Sequence, residues 1–295
     1  MAYEGTPRQA PMSRAWQHAI KIRPIRFHRI VGRCRRCRMT VAWIRSLWER
    51  YHGGLAGALA VAGPSLFENI SERNAADDLA VLGYYAGLCL PPRYVAEILR
   101  FARETPCFHA KRDDERFFIA DVRDGRSPAG HTVAVADVDL THPCHAIDQV
   151  ACDAALVRTA RRYFGYTPTR VIKRLYWSPV SGLADEARRC NGQTVDFHYD
   201  IDPAPALYAF FYITGADARS GAHVVIPRTH QAKPLSIVFS SCFQSDERLA
   251  RFYPDARPTI VAGPPGFGFV EDPASFHKAI APVSRDRLIL QLRYS

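Results

Sequence analysis

The sequence predicts a mainly β domain with flanking helices, of the jelly-roll, cupin-like type. Two observations carry this. Short runs rich in β-branched and aromatic residues recur from about residue 115 to the end, separated by Gly, Pro and Asp turns. Segments with helical apolar spacing come before and between them, which places helices outside a sheet and not between parallel strands.

The elements follow in order. Residues 1–15 carry Pro, Arg and Ser and read as loose chain. "TVAWIRSLWERYHGG" reads as a short amphipathic helix with Ile44, Leu47 and Trp48 on one side and a stop at Gly53-Gly54. Residues 75–104 read as strand, turn and helix; Pro91-Pro92 opens the helix, and Val95, Ile98, Leu99 and Ala102 form its inner face. "ERFFIADV" and "HTVAVADVDL" read as strands, and a helix is expected from about Pro143 to Phe164, stopped by Gly165. "RVIKRLYWSPV" is a further strand, followed by a polar loop from Ser181 to Thr194 of a length suited to a lid. "TVDFHYDID", "ALYAFFYITGAD" and the glycine-punctuated stretch from Gly263 to Ser295 complete the strands.

Charge is distributed unevenly. Residues 1–50 hold 12 Lys+Arg against 2 Asp+Glu, and the other 245 residues hold 27 of each sign. The basicity therefore belongs to an N-terminal extension, taken as residues 1–65 and partly helical, and the domain at 66–295 is neutral. A high pI arising this way is no argument that the domain binds nucleic acid. The arm itself, chiefly residues 16–50, reads either as solvated chain or as a weak contact for a membrane surface or polyanion. An Arg-rich, acid-poor start also fits a transit peptide by composition, whereas a secretory signal has a shorter basic region. No run of 18 apolar residues occurs. Eight cysteines without a secretory signal read as free thiols in the cytoplasm. Cys34-x-x-Cys37 lacks the second ligand pair that a structural zinc site needs. His142 and His145 read as helix-end histidines. Oligomeric state is left open.

The chemistry resides in His198-Tyr199-Asp200. On a strand, residues two apart face the same side. His198 and Asp200 then present an imidazole and a carboxylate together, and His277, 77 residues after Asp200, supplies a second imidazole. Two His and one carboxylate form the facial triad that holds non-haem Fe(II) with positions left open. An H-x-D triplet alone also describes an ordinary surface strand, so the further residues matter. Arg287 follows His277 by ten residues and precedes the apolar run Leu288–Leu292, and "GAHVVIPRTH" lies between the two halves.

With these residues the chain resembles the Fe(II)/2-oxoglutarate-dependent oxygenases, specifically the phytanoyl-CoA dioxygenase-like branch. Their pattern is H-x-D, a G-p-h-x-x-h-P-G-S-H stretch, a distal His and, about ten residues on, an Arg. Here the middle stretch is Gly221 to His230, with Arg228 and Thr229 where the family usually shows Gly and Ser. The resemblance is strong over 190–295 and diffuse from 78. It implies the double-stranded β-helix form of the jelly-roll, with Fe(II) on His198, Asp200 and His277. It further implies 2-oxoglutarate as cosubstrate, O2 as oxidant and a small-molecule substrate. The cosubstrate's far carboxylate needs a fixed cation, and Arg287 suits this by position, ahead of Arg285 and Arg293. Related halogenases carry a small residue at the Asp200 position, so the carboxylate here makes hydroxylation the default outcome, with desaturation, ring formation and demethylation left open. Candidate substrate contacts are Tyr176, Arg174 (or Lys173), Phe197, Tyr199 and the loop near Arg188; aromatics and cations at one mouth would suit a substrate bearing an anionic group. A metal- or ligand-binding cupin without oxygenase activity is the alternative, and it has no need of Arg287. On the oxygenase reading, deleting residues 1–60 is expected to leave cosubstrate turnover intact.

Overall fold

The computed structural model describes residues 32–295 except 61, 62, 69 and 113. A seven-stranded antiparallel sheet is built from β1 (Tyr84–Cys89), β2 (Cys107–His109), β3 (Ala136–Val138), β4 (Val171–Ser178), β5 (Leu207–Tyr212), β8 (Phe267–Glu271) and β10 (Arg287–Tyr294), in the order β1-β8-β5-β10-β4-β3-β2. A second sheet holds β6 (His223–Ile226) between β7 (Thr259–Val261) and β9 (Phe276–Ala279). This is the expected jelly-roll with flanking helices.

Strand alternation sorts the large sheet into two faces. On β10, Leu288, Leu290, Leu292 and Tyr294 enter the core beneath the helices. Arg287, Ile289, Gln291 and Arg293 therefore face the other way, into the barrel, where Ile289 packs with Tyr208, Phe210, Tyr212 and Phe269. The outer layer contains α2 (Glu72–Val81), α3 (Pro92–Glu104), α4 (His145–Ala151) and α5 (Ala154–Phe164). Ile98 and Ala102 of α3 are fully buried, as their spacing predicts, with Val95 and Leu99 partly buried beside them. Short helices α6 (Asp185–Cys190), α7 (Leu235–Val238) and α8 (Asp246–Phe252) sit in the connections.

Several local expectations differ from the structure. The helix at 143–164 is two helices, because the Asp153 carboxylate accepts from the backbone N of Ala155 and Leu156 and caps α5 afresh. Residues 72–81 form α2 and not a strand, started by the Ser71 hydroxyl accepting from Asn74 N. "ERFFIADV" contributes only the bridge of Phe117 to Cys107 before a short 3-10 turn. "TVDFHYDID" is extended chain joined by single bridges, Phe197 to Gln244 and His198 to His277. The Ser181–Thr194 stretch contains α6 and is tied down by Arg188, which donates to Leu183 O, Gln193 Oε1 and Ser181 O.

The extension changes most. Of residues 1–65, 32–60 and 63–65 are described and make contacts with the rest of the domain through Arg38, Arg45, Glu49 and Leu59; the others lie outside the described residues. Helix α1 (Arg35–His52) is longer than predicted and ends at Gly53, whose φ of 72° suits glycine. It buries Arg38, Ala42 and Ser46 and leaves Ile44, Leu47 and Trp48 exposed. Polar anchors set this orientation. Arg38 Nη1 pairs with Asp272 Oδ1 at 3.2 Å, Glu49 accepts from Thr167 N and Oγ, and Arg45 donates to the Tyr166 hydroxyl. No helix of the described residues is long and apolar enough to cross a membrane. All eight cysteines are free.

Candidate metal and cosubstrate site

Backbone pairing creates the site. His198 N donates to His277 O at 3.0 Å and His277 N to His198 O at 2.8 Å, which sets the two residues opposite each other. Their rings lie 4.3 Å apart, and His198 Nε2 is 3.9 Å from Asp200 Oδ1. One ligand atom from each of His198, Asp200 and His277 lies within 4.8 Å of the others. The hydrogen bonds select the tautomers. His198 Nδ1 meets Asp196 O at 3.2 Å and His277 Nδ1 meets Ser275 O at 3.0 Å. A carbonyl only accepts, so each Nδ1 carries the proton and each Nε2 keeps its lone pair for a metal. Burial lowers the pKa of both rings, that of His277 to about 4, which keeps them neutral as ligation requires.

A buried polar train runs behind His277. The Glu271 carboxylate lies 3.5 Å from His277 Nδ1 and 2.7 Å from His223 Nε2. Burial raises the Glu271 pKa to about 7 and lowers that of His223. His223 stacks against His277 at 5.2 Å, and its own ring feels the charge of Arg287.

Arg287 is buried. Nη1 donates to Gly221 O, Nη2 donates to Ser178 Oγ at 2.9 Å, and Nε has no partner. No acidic side chain of the described residues pairs with it, unlike Arg38, Arg174 and Arg293. An uncompensated buried guanidinium is costly. This one fits an anion that arrives with a ligand. Gly221 admits it: a Cβ there would stand 3.2 Å from Arg287 Cδ, and the φ of 91° suits glycine as well. Arg285, the nearest competitor in sequence, is exposed and lies 3.4 Å from Asp217.

The predicted substrate contacts divide. The Tyr176 ring lies on the interior face with Arg174 above it at 4.4 Å and Arg287 at 5.8 Å. Arg174 is near but committed, its fork closed on Asp137 at 2.6 and 3.1 Å. Lys173 points the other way, to Asp148. Phe197 and Tyr199 are corrections. The alternation that brings His198 and Asp200 to the metal side turns these two away, into a cluster with Val224, Ile237 and Phe276. Arg188 is consumed by the loop it ties.

Three further groups border the site; the sequence reading names Arg293 only as a competitor of Arg287 and does not name Tyr208 or Phe243. Arg293 pairs with Asp202, yet Arg293 Nε and Asp202 Oδ2 have no partner. Tyr208 sits beside Asp200, and burial with that carboxylate holds its hydroxyl protonated. Phe243 stacks on His198 at 5.2 Å. Arg293 was legible, because it shares the strand face of Arg287; Phe243 reaches the site through tertiary structure and leaves no local signal. In the family-like stretch, Arg228 takes φ 67° where Gly would be unstrained, so the departure is confined to a turn.

A second His-carboxylate cluster lies apart. His109 Nε2, His131 Nδ1 and Ser127 Oγ all approach Glu115 Oε2, at 3.0, 2.9 and 2.7 Å. Each atom is already satisfied there, and the set closes the 109–131 loops.

No family model matches the chain, and neither does any curated protein. Solved structures do. The 2-oxoglutarate-dependent epimerase SnoN from nogalamycin biosynthesis shares 15% identity at a TM-score of 0.53, covering 76% of this chain and 82% of that one. The carbocyclase SnoK of the same biosynthesis shares 15% at 0.52, covering 79% and 87%. EctD from S. alaskensis, solved with bound Fe, shares 18% at 0.54, covering 80% of each. This chain has their fold.

Proposed function

We propose that the protein is a non-haem Fe(II)/2-oxoglutarate-dependent oxygenase that hydroxylates a small molecule, using O2 and releasing succinate and CO2. The carrying observation is that a two-His, one-carboxylate set and an uncompensated buried Arg287 face the same barrel interior, linked by His223. A jelly-roll that only bound metal would have no use for that guanidinium. The donor set fits Fe(II). His198, Asp200 and His277 would hold it, with Nδ1 of both imidazoles fixed by carbonyls. When bound, iron couples oxidative decarboxylation of 2-oxoglutarate to oxidation of a substrate C–H bond. Arg287 would fix the cosubstrate's far carboxylate through the N–H groups its protein partners leave free. Phe243 shields the outer face of His198.

Relatives in fold support the cofactors: SnoN was solved with Fe3+ and alpha ketoglutarate, and EctD with 2-oxoglutarate and 5-hydroxyectoine. The spacing of Asp200, His277 and Arg287 favours the phytanoyl-CoA dioxygenase-like branch. Asp200 favours hydroxylation over halogenation. Tyr176, Tyr208 and the Arg293–Asp202 pair, with one unpartnered donor and one unpartnered acceptor, are the proposed substrate contacts. Free thiols and an Fe(II) requirement fit the cytoplasm.

The test is anaerobic loading with Fe(II) and 2-oxoglutarate, then admission of O2. Succinate should form only when iron and 2-oxoglutarate are both present, and faster when a substrate couples. Iron-loaded protein that neither binds 2-oxoglutarate nor forms succinate would sink the proposal.

A further inference from the structure

Helix α1 is amphipathic in the opposite sense to an ordinary surface helix. Its inner face is polar or small and is held by buried or partly buried bonds: Arg38 to Asp272, Glu49 to Thr167, Arg45 to Tyr166. Its outer face carries Met39, Trp43, Ile44, Leu47, Trp48 and Tyr51, all between 41% and 86% exposed. At 100° per residue these six fall on one half of the helix, opposite Arg38 and Ala42. A monomer in water gains nothing from such a face, and contiguous apolar patches of this kind mark interaction surfaces.

Charge identifies the occupant. The first 50 residues carry a net +10, and the rest of the chain carries none. Arg35 and Arg36 are exposed at the start of α1, whereas Glu49, the only acid of the helix, is turned inward onto Thr167. Two copies meeting through this face would bring two such basic segments together. An anionic lipid surface attracts them instead, and Trp and Tyr favour the membrane interface. The helix does not span a bilayer; its geometry suits lying in the headgroup plane. The apolar exposure continues nearby. Arg33 donates to Val238 O and Ser240 O, tying α1 to the segment that exposes Leu235 and Phe239 and carries Phe243 onto His198.

We propose that the outer face of α1 docks the protein on an anionic membrane surface, with Met39, Trp43, Ile44, Leu47, Trp48 and Tyr51 entering the interface and Arg35 and Arg36 contacting the headgroups. The inward anchors make the helix a fixed ledge, so docking needs no unfolding.

The full chain is mixed with phosphatidylcholine vesicles with and without phosphatidylglycerol, and bound protein is measured by flotation and by tryptophan emission. Binding should require phosphatidylglycerol and weaken as salt is raised. Trp43→Ser with Trp48→Ser should lower partitioning at least about tenfold, and Arg35→Gln with Arg36→Gln about fivefold for each charge. Both pairs are exposed, so iron content and circular dichroism should match the parent. Absence of binding to the mixed vesicles overturns the proposal, as does equal binding by the Trp variant. Equal binding to neutral vesicles overturns its charge component. A concentration-dependent dimer that the Trp substitutions abolish assigns the face to a second copy instead.

Discussion

Replacing Arg287 by Ala removes a buried guanidinium that has no acidic partner among the described residues and, unlike the equally buried Arg188, keeps an Nε without a hydrogen-bond partner. A guanidinium has five N–H groups. Two are spent on Gly221 O and Ser178 Oγ, and the Nε–H is without a partner. A carboxylate arriving with the cosubstrate can therefore take a bidentate pair. Losing a charge-assisted interaction of this kind costs about 1.5–3 kcal/mol, or roughly 10- to 150-fold in 2-oxoglutarate affinity. Arg287→Lys keeps the charge without the fork and should fall between. The assay is calorimetric titration of 2-oxoglutarate into iron-loaded protein without oxygen. Thermal unfolding adds a second readout: 2-oxoglutarate should raise the melting temperature of the parent and not of Arg287→Ala, whose ligand-free form should be at least as stable because an uncompensated buried charge is gone. Unchanged affinity in a folded Arg287→Ala protein would refute the argument. So would a loss of affinity in Arg285→Ala, since Arg285 is exposed and engaged with Asp217.

His198→Ala and His277→Ala should each lose stoichiometric Fe(II), read by metal analysis after anaerobic loading; full retention in both would remove the triad. Asp200→Gly should weaken iron binding and abolish hydroxylation, and the unmodified enzyme should give no chlorinated product at high chloride; mass spectrometry of products decides. Arg38→Ala leaves Asp272 and the Tyr163 hydroxyl buried without their cation and should cost about 3–5 kcal/mol in urea unfolding, so deletion of residues 1–60 should destabilise the barrel and not leave turnover untouched. Burial would raise the Asp272 pKa, but Arg38, His230 and the Tyr163 hydroxyl hold it at about 2, below the ordinary 3.8. A depressed carboxylate stabilises the fold above its unfolded pKa and loses that contribution as pH falls towards 2. The melting temperature should therefore drop across that window, and the drop should begin at higher pH in Arg38→Met.

The candidate metal residues were legible because their logic is local. An H-x-D triplet needs only the alternation of an extended chain to bring both ligands to one side, and that holds even though the segment forms single bridges and no regular strand. The same alternation turns Phe197 and Tyr199 to the other side, into the cluster with Val224, Ile237 and Phe276, and that was readable from the same four residues. Arg287 was legible by its spacing from His277, but its unpaired state was not: that depends on what the other arginines meet. Asp137 closes on Arg174 from 37 residues away, and Asp272 closes on Arg38 from 234. Pairings at such range carry no periodic trace. The orientation of α1 failed for a related reason. Apolar spacing marks a stripe but not its sense, and the usual inference turns the stripe inward. Here the inner face is chosen by Arg38, because Asp272 at 3.2 Å and the Tyr163 hydroxyl bonded to the same carboxylate complete a buried polar set that only a cation can balance. Turning the helix to bury Trp43 and Trp48 would strand that set. The exposed aromatic face is thus a consequence of satisfying a buried charge, and it leaves α1 with an apolar surface exposed among the described residues.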